Sequence, residues 1–242
     1  MLAPAVRPET TWAFCALVLV VAAAWPLLVH RSFGRRAAVA TAAGLALWLG
    51  VVWQLGVLRW LMPLDDSLPP AFAKVLVPTA LAILAVGLSP VGRRWAARLP
   101  LAALLLLQSF RLPLELLMAD LAAQGALPPQ LTLHGWNCDI ASGILGLALG
   151  VWALRWPVPR ALVYGYNALG SALLVTVVTI AVRSAPGPLA AWPDLPRNTL
   201  VFFEPFTALP LVLVMSALLG HVLLGQWLAA QRLRGEGDRA GG

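Results

Sequence analysis

The strongest constraint on this chain is the length of its uncharged apolar segments. Residues 10–29 and 37–58 contain no Asp, Glu, Lys or Arg. At about 1.5 Å of helical rise per residue, such runs cross the roughly 30 Å hydrocarbon core of a bilayer. A helix can enter that core because it satisfies its own backbone N–H and C=O groups. Five further segments of similar character follow. The pattern therefore predicts an all-α bundle of seven transmembrane helices over 11–30, 37–58, 71–89, 99–122, 139–156, 161–183 and 199–229. The connections are short and rich in turn residues, so a single transmembrane domain over 1–242 is expected, with no soluble domain inserted. Met1 to Thr10 lacks the basic opening of a signal peptide, and the first apolar run is expected to remain as a helix.

Composition agrees with lipid as part of the solvent. Hydrophobic residues make up 60% of the chain and charged residues 11%, far from the balance of an ordinary soluble domain. The net charge of +7 is not a nucleic-acid signature, because the basic residues sit in short clusters between apolar runs. With the N-terminus outside, the cytoplasmic set is Arg31, Arg35, Arg36, Arg93, Arg94, Arg98, Arg155, Arg160, Arg232, Arg234 and Arg239. The outer set is only Arg7, Arg59, Lys74, Arg183 and Arg197. That asymmetry predicts N-out and C-in. The Arg-rich, Lys-poor usage fits a GC-rich genome, and the expected location is the bacterial cytoplasmic (inner) membrane.

Polar residues inside the spans mark the candidate site. Arg111 and Glu115 are four apart in span four, so they share a helix face and are expected to pair. A charge near the bilayer centre costs roughly 2.5–3.5 kcal/mol on insertion scales, which argues against leaving either alone. Pro113 between them should disturb the helical hydrogen-bond ladder. Asn137 and Asp139 head span five, Asp120 ends span four, and Glu204-Pro205 precedes Pro210 in span seven. Span seven is expected to be kinked or unwound between Glu204 and Pro210, with Glu204 turned inward. Arg111, Glu115, Asn137, Asp139 and Glu204 together form the expected substrate-binding set in the outer half of the bundle.

Several membrane chemistries lack their residues. Span seven has no lysine for a retinal Schiff base, no H-E-x-x-H pair is present, and no Gly-rich phosphate loop follows a strand. Ser142-Gly143 reads as a close-packing step between helices. His134 and Cys138 are the weak candidates for a metal site, and His30 with His221 the only pair for a bis-His haem. The cofactor is left unknown. Cys15 and Cys138 are open to two readings, an outer-face disulfide or two separate thiols.

Ser109-Phe110-Arg111 to Glu115, Leu127-Pro128, Leu131-Thr132, Gly135, Asn137 and Asp139-Ile140 resemble a pattern in uncharacterised bacterial multi-pass membrane proteins. Asn198-Thr199-Leu200-Val201, Pro205, Leu209-Pro210 and His221 resemble the last helix of the same family. The chain departs from the pattern at Cys138, where an aromatic is expected, and at Glu204, where Phe is expected. The resemblance implies a polytopic fold and no particular activity. Three roles remain open at this level. The first is binding or transport of a small solute in an outward-facing polar pocket, with Arg111 holding an anionic group. The second is a membrane sensor or partner subunit of a larger complex. The third, least favoured, is a membrane enzyme.

Overall fold

The computed structural model describes residues 2–62, 68–192 and 194–240, with side chains described up to residue 231. Asp65 and Asp66 lie outside the described residues, as do the side chains of Arg232, Arg234 and Arg239. Among the described residues the chain is helical, with no strand. The helices are α1 (Pro8–Phe33), α2 (Arg35–Val57), α3 (Ala71–Leu88), α4 (Pro90–Arg98), α5 (Leu101–Leu107), α6 (Arg111–Ala123), α7 (Ile140–Ala153), α8 (Arg160–Ser184) and α9 (Val214–Ala240). Six helical stretches are long and apolar enough to cross a membrane: α1, α2, α3, the combined Leu101–Ala123, α8 and Leu209–Gln231. The remaining expected span, the fifth at 139–156, corresponds to the shorter apolar α7. Leu19, Val20, Leu27, Leu47 and Leu81 are exposed on the circumference, where lipid removes the cost that water would impose.

Local chemistry sets the breaks. Gly34 joins α1 to α2 at φ +84°, a conformation that costs glycine little, and its N–H caps the carbonyl of His30. Span four is not one uniform helix. A 3-10 turn at Gln108–Phe110 separates α5 from α6. Pro113 accounts for its position, since proline offers no N–H to the Ser109 carbonyl and its ring presses on that turn. The connection expected between spans three and four is itself helical in part. Ser89 caps α4 by accepting from the N–H groups of Val91 and Gly92. Span seven opens irregularly, with a 3-10 turn at Leu200–Phe202 and a π-helical turn at Leu209–Leu213. The expected break between Glu204 and Pro210 is therefore present.

The bundle centre is formed by α5, α6 and α9, with α7 and α8 against one side and α1 against another. α2 rests on α1, and α3 on α4 and α9. Two apolar clusters fill the interior. One, at the end of the long loops 124–139 and 185–208, contains Phe14, Phe110, Leu114, Leu174, Phe202 and Leu211. The other, at the α4 end, contains Trp25, Ala96, Leu104, Leu105, Val163 and Leu223. Along the α5–α6 element, α8 and α9 the changeover brackets a polar or bare position. Gln108 lies between Leu107 and Phe110, Gly170 between Tyr166 and Leu174, and His221 between Ala217 and Leu223. A buried polar band thus crosses the middle of the bundle.

Candidate functional site

Residues 108, 111 and 115 recur at three- and four-residue steps, so the α5–α6 element turns Gln108, Arg111 and Glu115 to one inward face. Arg111 is 1% exposed and Glu115 2%. Arg111 Nη1 donates to Asp139 Oδ1 at 3.0 Å, to Ser142 Oγ at 2.7 Å and to the Gly170 carbonyl at 3.4 Å. The expected partner was Glu115; the salt-bridge partner in the fold is Asp139. The loop 124–139 folds into the bundle and delivers that carboxylate from the head of α7, a placement helical periodicity could not foresee.

Glu115 is satisfied on one side by Asn137, whose Nδ2 donates to Glu115 Oε1 at 2.7 Å and to the Leu131 carbonyl at 3.0 Å. Asn137 Oδ1 accepts from the Asp139 N–H at 3.0 Å. An amide is needed at 137, because one side chain there must donate and accept together. Ser142 lies 2.8 Å from Asp139 Oδ1 and 2.7 Å from its carbonyl oxygen. Close approach makes these bonds reachable: a Cβ on Gly143 would stand 2.6 Å from the backbone nitrogen of Leu112. Both halves of Ser142-Gly143 therefore matter, the glycine for packing and the hydroxyl for Arg111.

The band continues toward the α4 end. His221 Nδ1 and Asn167 Oδ1 are 2.9 Å apart, so the amide oxygen accepts, Nδ1 carries the proton and Nε2 is left as an acceptor. The imidazole lies on bare backbone, since a Cβ on Gly170 would fall 2.4 Å from His221 Cε1. Gln108 Nε2 donates to the Ala217 carbonyl at 3.3 Å. Tyr166 and His221 have ring centres 6.0 Å apart. From the sequence Gln108, Tyr166 and Asn167 are not singled out as site residues, His221 is weighed only as a haem ligand and Ser142 only as a packing step. The available signals were spacing: Gln108 three before Arg111, Ser142 three after Asp139.

Beside Arg111 and Glu115 lies a cavity of about 90 Å³. Phe110, Leu114, Leu174 and Phe202 are among its apolar walls, and Arg111, Glu115, Asp139 and Asn198 supply its polar part. Arg111 Nε and Nη2, Glu115 Oε2 and Asn198 Oδ1 are buried without a hydrogen-bond partner among the described residues. The long loops close the end above it. Gln130 Nε2 donates to the Pro196 carbonyl at 2.9 Å and to Ser184 Oγ at 3.3 Å, and Trp136 meets Trp192 with ring centres 4.7 Å apart.

The other expected residues lie elsewhere. Glu204 is exposed at the end of α2, near Gly56, and does not face the interior. The backbone unwinds there, as the prolines require, but the unwound segment turns Phe202, Phe203 and Phe206 inward instead. Asp120 ties α1 to α6: it pairs with Arg7, and Asp120 Oδ2 accepts from Thr10 Oγ1 at 2.6 Å and Gln124 Nε2 at 2.8 Å. His134 and Cys138 are exposed on the loop. Among the described residues no group of three or more His, Cys, Asp and Glu side chains could hold a metal ion. Cys15 and Cys138 are free thiols. His30 is exposed at the end of α1, while the His221 ring is engaged by Asn167.

No curated protein and no solved structure matches the chain. A family model does match, over residues 68–229, a span that contains every residue of the polar band together with the lining of the cavity except Leu61. The chain belongs to the family defined by that domain of unknown function, DUF8737.

Proposed function

We propose that this is a seven-pass membrane protein, N-terminus outside and α7 its shortest pass, that binds and translocates a small solute carrying a carboxylate. The supporting observation is the division of labour on Arg111. Its Nη1 is consumed by Asp139, Ser142 and Gly170. Its Nε and Nη2, which form the other edge of the guanidinium, have no partner and lie beside the cavity. That edge matches the two oxygens of a carboxylate in a bidentate fork. Each buried unpaired polar atom costs about 1–3 kcal/mol, so an acceptor placed there recovers free energy that the empty fold forgoes. Glu115 Oε2, also unpaired, would receive a hydroxyl or ammonium hydrogen on the same solute. The remaining walls are apolar and the volume is smaller than the roughly 150 Å³ cavity known to take benzene, which favours a short chain.

The test is uptake of radiolabelled butyrate and hydroxybutyrate into proteoliposomes. Uptake above protein-free vesicles, abolished in Arg111→Gln, is expected. Uptake no greater than in protein-free vesicles for both acids would remove transport from the reading. A second reading, a subunit of a larger membrane assembly, is favoured by α2 and α3, which bury few of their residues within the chain. A stoichiometric partner co-purifying through α3 would place that reading first.

A further inference from the structure

A second recess lies across the start of the last helical stretch from the Arg111 cavity, with Leu211 in the walls of both. It holds about 500 Å³ between α1, α2, α3, α4 and α9, and Trp25, Thr41, Trp48, Pro78, Ile83 and Trp95 are among its walls. Two indoles are fixed by hydrogen bonds to α9 and the turn before it. Trp48 Nε1 donates to the Leu211 carbonyl at 2.9 Å, and Trp25 Nε1 to Ser216 Oγ at 3.2 Å. The walls are therefore preformed rather than collapsed. Because α2 rests on α1 while α3 rests on α4 and α9, the recess opens sideways between α2 and α3.

Charge surrounds its α4 end. Arg31, Arg35 and Arg36 are exposed at the α1–α2 turn, and Arg93, Arg94 and Arg98 are exposed on α4. Among the described residues none of the six is in a salt bridge. The α4 group is tied to the recess through Trp95, which lines it, and Arg98. Trp95 of α4 stacks near both Trp25 and Phe33, each with ring centres 6.3 Å away, and the Arg98 guanidinium lies 5.2 Å from the Phe33 ring centre. Thr41 lies only five residues beyond Arg36, about 8 Å along α2. An apolar slot open to the side, with exposed arginines at one end, has the chemistry of one phospholipid: an acyl chain below, a phosphate above.

We propose that the α2–α3 recess is a binding site for an anionic phospholipid, its acyl chain between Trp48 and Ile83 and its headgroup on Arg93, Arg94 and the Arg35–Arg36 pair. A membrane-spanning partner helix would fill the slot as well, but it would leave the arginines unneutralised. Arginine near an anionic headgroup contributes about fivefold in affinity per residue. Lipid binding there requires no solute beside Arg111 and would survive the failure of the transport reading.

The experiment uses the full chain in phosphatidylcholine nanodiscs containing a trace of photoactivatable lipid, either phosphatidylglycerol or phosphatidylcholine with the same diazirine acyl chain. Peptides covering Thr41–Trp48 and Pro78–Ile83 should be crosslinked several-fold more by the phosphatidylglycerol probe. The excess should be lost, leaving the two probes nearly equal, in Arg93→Gln/Arg94→Gln, and high salt should reduce it in the unaltered protein. Arg155→Gln/Arg160→Gln, at the α7–α8 turn, which contributes nothing to the recess walls, should leave it unchanged. Equal labelling by the two probes, labelling confined to other helices, or equal loss in both double variants would overturn the proposal.

Discussion

Arg111 concentrates most of the energetic stakes, because a guanidinium this buried is tolerable only while its partner holds. Asp139→Asn should therefore destabilise the purified protein by about 3 kcal/mol, read from equilibrium unfolding in mixed micelles. Arg111→Gln should cost a similar amount, and the double variant should cost less than the sum, with a coupling of about 1–3 kcal/mol. Additive losses would mean that the 3.0 Å contact carries no net interaction. The Arg111–Glu115 cycle should show a weaker coupling, since Asn137 rather than Arg111 donates to Glu115. Asn137→Leu strips that donor and should cost about 1–3 kcal/mol, because Glu115 Oε1 would be left buried and unpaired.

At the scale of elements, the contact of α8 with α9 depends on a missing side chain. Gly170→Ala would place a methyl 2.4 Å from His221 Cε1, where the ring is held by Asn167. The expected cost is about 1–3 kcal/mol, the usual penalty of overpacking. His221→Ala should suppress much of it in the double variant, and its failure to do so would place the strain in the backbone instead. The helices themselves were largely legible: residues 11–30 and 37–58 read as spans on length and absence of charge alone; the first lies within the observed α1, and the second matches α2 but for Leu58 at its end. The unwinding before α9 was legible from Pro205 and Pro210, which act on local backbone. What could not be read was orientation and partnership across the bundle. Glu204 lies outward because three phenylalanines of the same short segment claim the interior, a competition decided by packing. Asp139 reaches Arg111 because a sixteen-residue connection, 124–139, folds back between helices, with Gly135 against the Pro129–Gln130 backbone. Short polar residues in such a loop carry no periodic signal that says which helix they will meet.

For the whole molecule, two apolar clusters with a polar band between them describe a bundle that carries hydrogen-bonding groups across its middle, where the apolar neighbours cannot satisfy them. Helices in a bilayer gain little from excluding lipid, so small residues such as Gly143 and Gly170 and interhelical polar bonds hold such a bundle together. The positive charges at the α1–α2, α3–α4 and α7–α8 connections set the expected orientation. In a background lacking Cys15 and Cys138, a cysteine in the 31–36 turn should resist impermeant thiol reagents in intact cells. One placed in 124–137 should react. The reverse pattern would invert the topology and turn the Arg111 cavity toward the cytoplasm. The proposal that Arg111 receives a carboxylate is tested most directly by anomalous diffraction from crystals grown with a brominated short-chain acid. The account predicts a bromine peak among Phe110, Leu174 and Phe202, with the carboxylate across Nε and Nη2 of Arg111. A cavity without bromine at a concentration that fully occupies other sites in the same crystal, its guanidinium edge bonded to ordered water, would contradict it.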